Sequence, residues 1–166
     1  MITNIGLKER IDVCPFDVLE EFAEDKGWQL KSRNDNEIAI DITTPYGTIG
    51  LFCIWSNEIE ILQISAIMNT SINTLANSSV FELLSLINER LFMGHFSIIS
   101  GTNFPIYRNS SILDLRNESA LVQMCDLVEL AVSEATKYFP TFSKLEGGSS
   151  ASGALAHVMQ GTFGRA

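Results

Sequence analysis

Basic side chains are scarce in this chain: 11 Lys and Arg stand against 20 Asp and Glu, a net charge of −9 and a pI near 4.6. Such a balance repels phosphate backbones and argues against nucleic acid as a partner. Charged residues make up only 19% while apolar ones reach 46%, with a mean hydropathy of +0.16. The 166 residues therefore have too much to bury for a disordered polymer and enough for one compact domain. Cysteine is limited to Cys14, Cys53 and Cys125, an odd number whose spacing fits neither a disulfide framework nor a CxxC zinc pattern. They read as reduced, buried thiols. Long apolar runs are missing, since the longest, Ile49 to Trp55, spans seven residues and includes Gly50, where a membrane span needs about 20. The start of the chain is broken by Asn4, Gly6, Lys8, Glu9 and Arg10 where a secretory leader needs a continuous apolar core, so a cytoplasmic location is expected. With only His95 and His157 present and no HExxH spacing, no metal and no cofactor are expected.

What is present reads as alternating strands and helices. Pro15, with Asp17 and Glu20 after it and Gly27 as a stop, predicts a helix over 15–26 with Phe16, Leu19, Phe22 and Ala23 as its apolar stripe. Its other side crowds Glu20, Glu21, Glu24 and Asp25 together, read as a solvated face. Alternation over 28–33 and 37–43 around Asn34-Asp35-Asn36 predicts a hairpin. Residues 49–55, apolar at every other position and between, predict a strand covered on both faces. From Glu58 to Met68 the apolar phase slips near 61–62, which predicts a β-bulge there. Residues 80–93 read as a helix apolar nearly all round and stopped by Gly94. Phe96 to Ile99 and Phe104 to Arg108 flank Ser100-Gly-Thr-Asn103 as a second hairpin. Leu121, Met124, Cys125, Val128, Ala131, Val132, Ala135, Tyr138 and Phe139 then recur at helical spacing over 118–139, with Pro140 as the expected end.

The fold class this implies is α+β, a twisted antiparallel sheet of five to six strands with helices packed on it, in the order α-β-β-β-β-α-β-β-α. The expected organisation is an N-terminal arm over 1–14, a domain over 15–145 and a flexible tail over 146–166 with a short helical pattern at 154–159. Gly147-Gly148-Ser149-Ser150 lacks the strand and helix of a phosphate loop or nucleophile turn and reads as a linker. Three polar residues stand out as a candidate site: Asn88 in an otherwise apolar helix, His95 after the helix stop, and Arg108 at a strand end. Each has a structural reading beside the functional one. Asn88 bonds a neighbour, His95 meets the negative end of a helix, and Arg108 pairs with Glu89 or Asp114.

Three segments together carry a family resemblance: Leu86-Ile-Asn-Glu-Arg-Leu-Phe-Met-Gly-His-Phe96, Phe104-Pro-Ile-Tyr-Arg108 and Ala135-Thr-Lys-Tyr-Phe-Pro-Thr-Phe142. The sequence resembles the YbjN-like proteins, described as bacterial sensory transduction regulators, in their alphaproteobacterial branch. Arg165 and the lack of a tryptophan before Gly164 depart from that branch's C-terminal pattern. The resemblance implies a fold similar to type III secretion chaperones, whose chains commonly pair, and it carries over no catalytic residue. The leading expectation is a non-enzymatic protein that binds a protein partner and pairs with itself through Phe81, Leu84, Ile87, Leu91 and Phe92, because the helix over 80–93 has more apolar girth than its own sheet covers. The rivals are a chaperone-like binder of an extended client peptide, and a small-molecule sensor or enzyme built on Asn88, His95 and Arg108. For the last, nucleophile, base and orienting group cannot all be filled from the sequence.

Overall fold

Pro15 opens α1 (Pro15–Asp25), where its missing N–H costs nothing and Asp17 faces the positive end of the helix. In the computed structural model, which describes residues 14–72 and 78–162, Phe16, Leu19 and Ala23 form the buried stripe of this helix. Gly27 adopts φ +71°, and the Trp28 N–H reaches back to the Ala23 carbonyl at 2.8 Å, the closing bond of a left-handed helix stop. The expected arm lies almost wholly outside the described residues.

Six strands follow: β1 (Gln29–Arg33), β2 (Glu37–Thr44), β3 (Gly47–Ser56), β4 (Ile61–Met68), β5 (His95–Ile98) and β6 (Pro105–Ile112). They form one antiparallel sheet in the order β1-β2-β3-β4-β6-β5. Side chains alternate across it, so Ile38, Ile40, Ile42, Ile49, Leu51, Cys53, Trp55, Leu62, Ile64, Ala66 and Met68 share one buried face. The opposite face is open. There Phe52 is half-buried and Ile54 exposed, so β3 lies centrally but is covered on one side only, against the expectation of two.

The expected bulge at 61–62 is absent, because β4 pairs with β3 without a slip from Ser56↔Ile61 to Ile49↔Met68. The change of phase comes from the turn before the strand, where Glu60 takes φ +53° and its carbonyl accepts from the Leu113 N–H at 2.9 Å. A register shift does occur between Leu30 and Ser32 of β1.

Among the described residues four helices accompany the sheet: α1, α2 (Ser79–Asn88), α3 (Ser119–Glu146) and α4 (Ala151–Thr162). Helix α1 packs on β1 and β2, and α3 lies against β3, β4 and β6. The α3 stripe foreseen at 118–139 is real, with Met124, Val128, Ala131, Val132, Ala135, Tyr138 and Phe139 all buried. Pro140 does not end it. A proline inside a helix removes one hydrogen bond and crowds the preceding turn, at about 3 kcal/mol or more. Continuing buries Phe142 and Leu145, each worth about 1.5–3 kcal/mol, so tertiary burial offsets the local defect. The segment after 146 is likewise not a free tail as far as Leu155: α4 packs on α3 and α2, and Ala151, Ala154 and Leu155 are buried in the core.

Ion pairs tie α1 to its neighbours. Arg33 of β1 binds both Asp17 and Glu20, and Lys26 reaches Glu129 of α3 at 2.7 Å. All three cysteines are free, Cys53 fully buried and Cys14 and Cys125 half-buried.

Burial pushes the Cys53 thiol up to about 12 from an ordinary 9.0. Between those values the unfolded chain releases a proton that the folded chain keeps, so this part of the stability is intact below pH 9 and is lost as pH rises toward 12. Urea unfolding across that range is expected to show falling stability, with a shallower slope in Cys53→Ala. Tyr107, pushed up to about 12 by burial and then by Glu134, maintains a residual slope above pH 10.0 in both.

Candidate functional site

The segment between α2 and β5 carries most of the residues singled out from the sequence, and its path differs from the expected one. Helix α2 ends at Asn88 rather than near 93. The Asn88 side chain accepts from the Phe96 N–H at 2.7 Å and donates to the Phe96 carbonyl at 3.1 Å. A helix continued to residue 93 would carry the chain about 1.5 Å further per residue, away from a strand that must return beside Asn88. The helix therefore unwinds, with Arg90 N–H bonding to Ile87 O and Leu91 N–H to Asn88 O. Since β5 is the last strand of the sheet, the Asn88 amide occupies hydrogen-bonding groups that an edge strand otherwise leaves unpaired.

Two further contacts fix the return. Gly94 adopts φ +69°, and a Cβ there would stand 2.4 Å from the Tyr107 ring and hydroxyl and 2.6 Å from the Arg108 carbonyl. The Tyr107 hydroxyl donates to Met93 O at 2.9 Å. Phe96 then enters the core against Tyr107, Tyr138 and Phe142, with ring centroids 5.2, 5.3 and 5.7 Å away. Edge-on aromatic packing of this kind adds about 0.5–1.5 kcal/mol per pair beyond burial.

The five expected interface residues divide. Ile87 is fully buried in the chain's own core with Val80 and Leu83, so it is not available to a partner. Leu84 and Leu91 are half-buried. Phe81 is 64% exposed, and Phe92, off the helix, is fully exposed beside exposed Met93. Leu91, Phe92 and Met93 border a hollow of about 130 Å³ completed by Arg90, Leu130 and Glu134. Met93, Leu130 and Glu134 were not foreseen, because nothing local to α3 shows which loop will lie beside it.

The polar trio also divides. Asn88 is spent on the Phe96 backbone. His95 begins β5 instead of closing a helix, and it stands directly opposite Arg108 of β6 on the open face. Arg108 pairs with neither Glu89 nor Asp114; Asp114 binds Arg116 at 2.6 Å. His95 and Arg108 border a shallow cleft of about 320 Å³ with Gln63, Gly94, Asn109 and Ser110. The juxtaposition was available in the sequence, since a hairpin centred on 101–102 sets residue 95 against 108. Among the described residues no cluster of three or more His, Cys, Asp and Glu is placed to hold a metal, and no helix is long and apolar enough to cross a membrane.

The YbjN model, described as "Putative bacterial sensory transduction regulator", matches residues 15–144. The chain belongs to the YbjN family. The YbjN fold is seen in "Crystal structure of YbjN, a putative transcription regulator from E. coli", with a TM-score of 0.52 at 12% identity, covering 75% of this chain and 87% of that one. The "Crystal Structure of the ExsC-ExsE Complex" aligns with a TM-score of 0.43 at 17% identity over 73% of this chain and 97% of that one. No curated protein sequence matches the chain.

The return from α2 to β5 makes two predictions. Gly94→Ala combines a left-handed backbone with a steric clash and should cost about 3 kcal/mol, read as a lower urea midpoint at unchanged slope. Asn88→Ala should cost about 2 kcal/mol and accelerate hydrogen exchange at the Phe96 amide while distant strand amides keep their relative order.

Proposed function

We propose that this YbjN-family chain is a non-enzymatic cytoplasmic regulator that acts by binding proteins, and that one of its partners is a second copy of itself. The observation that carries the reading is Phe92, a large aromatic held fully in solvent by a rigid return loop next to an apolar hollow. Single exposed apolar residues are ordinary. Phe92 differs in its setting: Met93 is exposed beside it, Leu91 and Leu130 form hollow walls, and the loop is pinned by Gly94 and Tyr107.

A peg beside a hollow suits an isologous pair, in which each copy offers Phe92 to the other's hollow. Arg90 and Glu134 on the rim supply opposite charges that a two-fold axis sets crosswise. Burying Phe92 removes about 1.5–3 kcal/mol of unfavourable exposure per copy. The preorganised loop spares the entropy of ordering it on association.

A second reading, the binding of an extended client peptide, draws support from β6. Its partner β5 pairs only from Pro105 to Arg108, so Asn109 to Ile112 have no strand on that side among the described residues, and Ile112 is exposed. An open strand edge is where an extended peptide adds. The two readings part at Phe92.

Light scattering is expected to give a mass twice 18.4 kDa for the native chain at micromolar concentration, and 18.4 kDa for Phe92→Asp. With two copies of the change per pair, the loss should be about 4 kcal/mol, roughly a thousandfold in affinity. A native chain that stays at 18.4 kDa over all concentrations overturns self-pairing. Client capture along β6 by Phe92→Asp at native strength favours the second reading.

A further inference from the structure

We propose that the cleft where β5 begins is a binding site for a small organic oxyanion, a carboxylate or a phosphate ester, with Arg108 as its principal ligand. Directly opposed residues of an antiparallel pair hold their Cβ atoms about 4.5–5.5 Å apart, so His95 and Arg108 present their side chains together on the open face. Gln63 and Ser110, themselves opposed on β4 and β6, add an amide and a hydroxyl to the same cleft. Asn109, between Arg108 and Ser110, borders it through its backbone, its side chain lying on the opposite, buried face with Ile64. Every side chain on this lining that carries a polar group offers a donor, and none is a carboxylate.

The charge pattern of the chain makes the arginine conspicuous. In a protein of net charge −9, Lys26, Lys31, Arg33, Arg116 and Lys137 each have a carboxylate within ion-pair distance. Arg108, like Arg90 and Lys144, has none among the described residues, but Arg90 donates to the Leu86 carbonyl, so Arg108 is the guanidinium left without a partner there. Its planar fork of N–H donors matches the oxygens of a carboxylate or phosphate in two parallel bonds, which an ammonium does not. The cleft, about 320 Å³, has room beside Arg108 for an organic portion as well as the anionic head. This site lies on the sheet's open face and requires no second copy of the chain, so its test is independent of the pairing proposed above.

Titration of the native chain with phenyl phosphate, benzoate and inorganic phosphate, followed by backbone amide NMR, tests the proposal. Saturable shifts centred on Gly94, His95, Arg108 and Ser110 are expected with at least one of the two aromatic anions, and the stronger of the two identifies the preferred headgroup. Inorganic phosphate is expected to bind more weakly than phenyl phosphate. Arg108→Gln, at an exposed position, should weaken binding by about tenfold or more. Gln63→Glu, which puts a carboxylate on the lining, should weaken it likewise. Arg116→Gln, which removes an arginine already bound to Asp114, should leave it unchanged. The proposal is overturned by the absence of saturable shifts with both aromatic anions, by shifts centred elsewhere, or by Arg108→Gln binding as tightly as the native chain.

Discussion

The paired hydrogen bonds between the Asn88 amide and the Phe96 backbone are the constraint on which the rest of this molecule turns. They end a helix, finish the edge of a sheet and close an eight-residue excursion in one place. Because the amide supplies both a donor and an acceptor, it imitates a neighbouring strand at the one position where α2 meets β5. Phe96 is thereby delivered into the aromatic cluster of Tyr107, Tyr138 and Phe142, coupling the edge strand to the long helix. The residues before it are left little freedom. Gly94 passes against Tyr107 where no side chain fits, and Met93 surrenders its carbonyl to the Tyr107 hydroxyl. What this costs in conformational freedom it returns as placement: Phe92 on one side in solvent, His95 on the other at the head of β5.

Much of the fold was legible in the residue pattern, and the errors share a cause. Alternation found the first hairpin and the fourth strand, a continuous apolar run the third, the turn at 100–103 the last two, and the 3.6-residue stripe from Leu121 to Phe139 the long helix. The misplaced ends arose where a distant partner outweighed a local signal. Leu91 and Phe92 continue the helical spacing of Val80 to Ile87, and only the distant bond from Asn88 to Phe96 reveals that the helix has already stopped. Pro140 is a strong local stop, yet the space beneath β5 is filled by Phe142, from the turn after it. The small residues of 146–153 read as flexible by composition, although the small side chains from 151 on let one helix approach another closely. The candidate site was half legible. His95 and Arg108 were found as individuals and Asn88 was read as bonding a neighbour, while naming that neighbour as Phe96 required knowing where β5 would lie.

The exposed chemistry of the chain is unevenly spread. Acidic side chains on α1 are partly answered by Arg33 of β1, and Lys26 at the helix end reaches Glu129 of α3. Phe92 and Met93 stand exposed together at the return loop, and Arg108 is exposed on the open face of the sheet. Two surfaces of opposite character thus flank Gly94. The proposed pairing surface and the proposed anion site are separated by this one turn.

The strand order has a consequence for how the molecule comes apart. Since β6 runs antiparallel to both β4 and β5, the last two strands join the first four along one seam, between β4 and β6. On either side of it, neighbouring strands are consecutive in the chain and zip locally. Helix α3 straddles the seam, resting on β3 and β4 as well as β6, and acts as a strap across two cooperative blocks. Loosening that strap would part the sheet along this one line and carry the late hairpin away as a unit, leaving the earlier four-strand meander with a raw edge at β4.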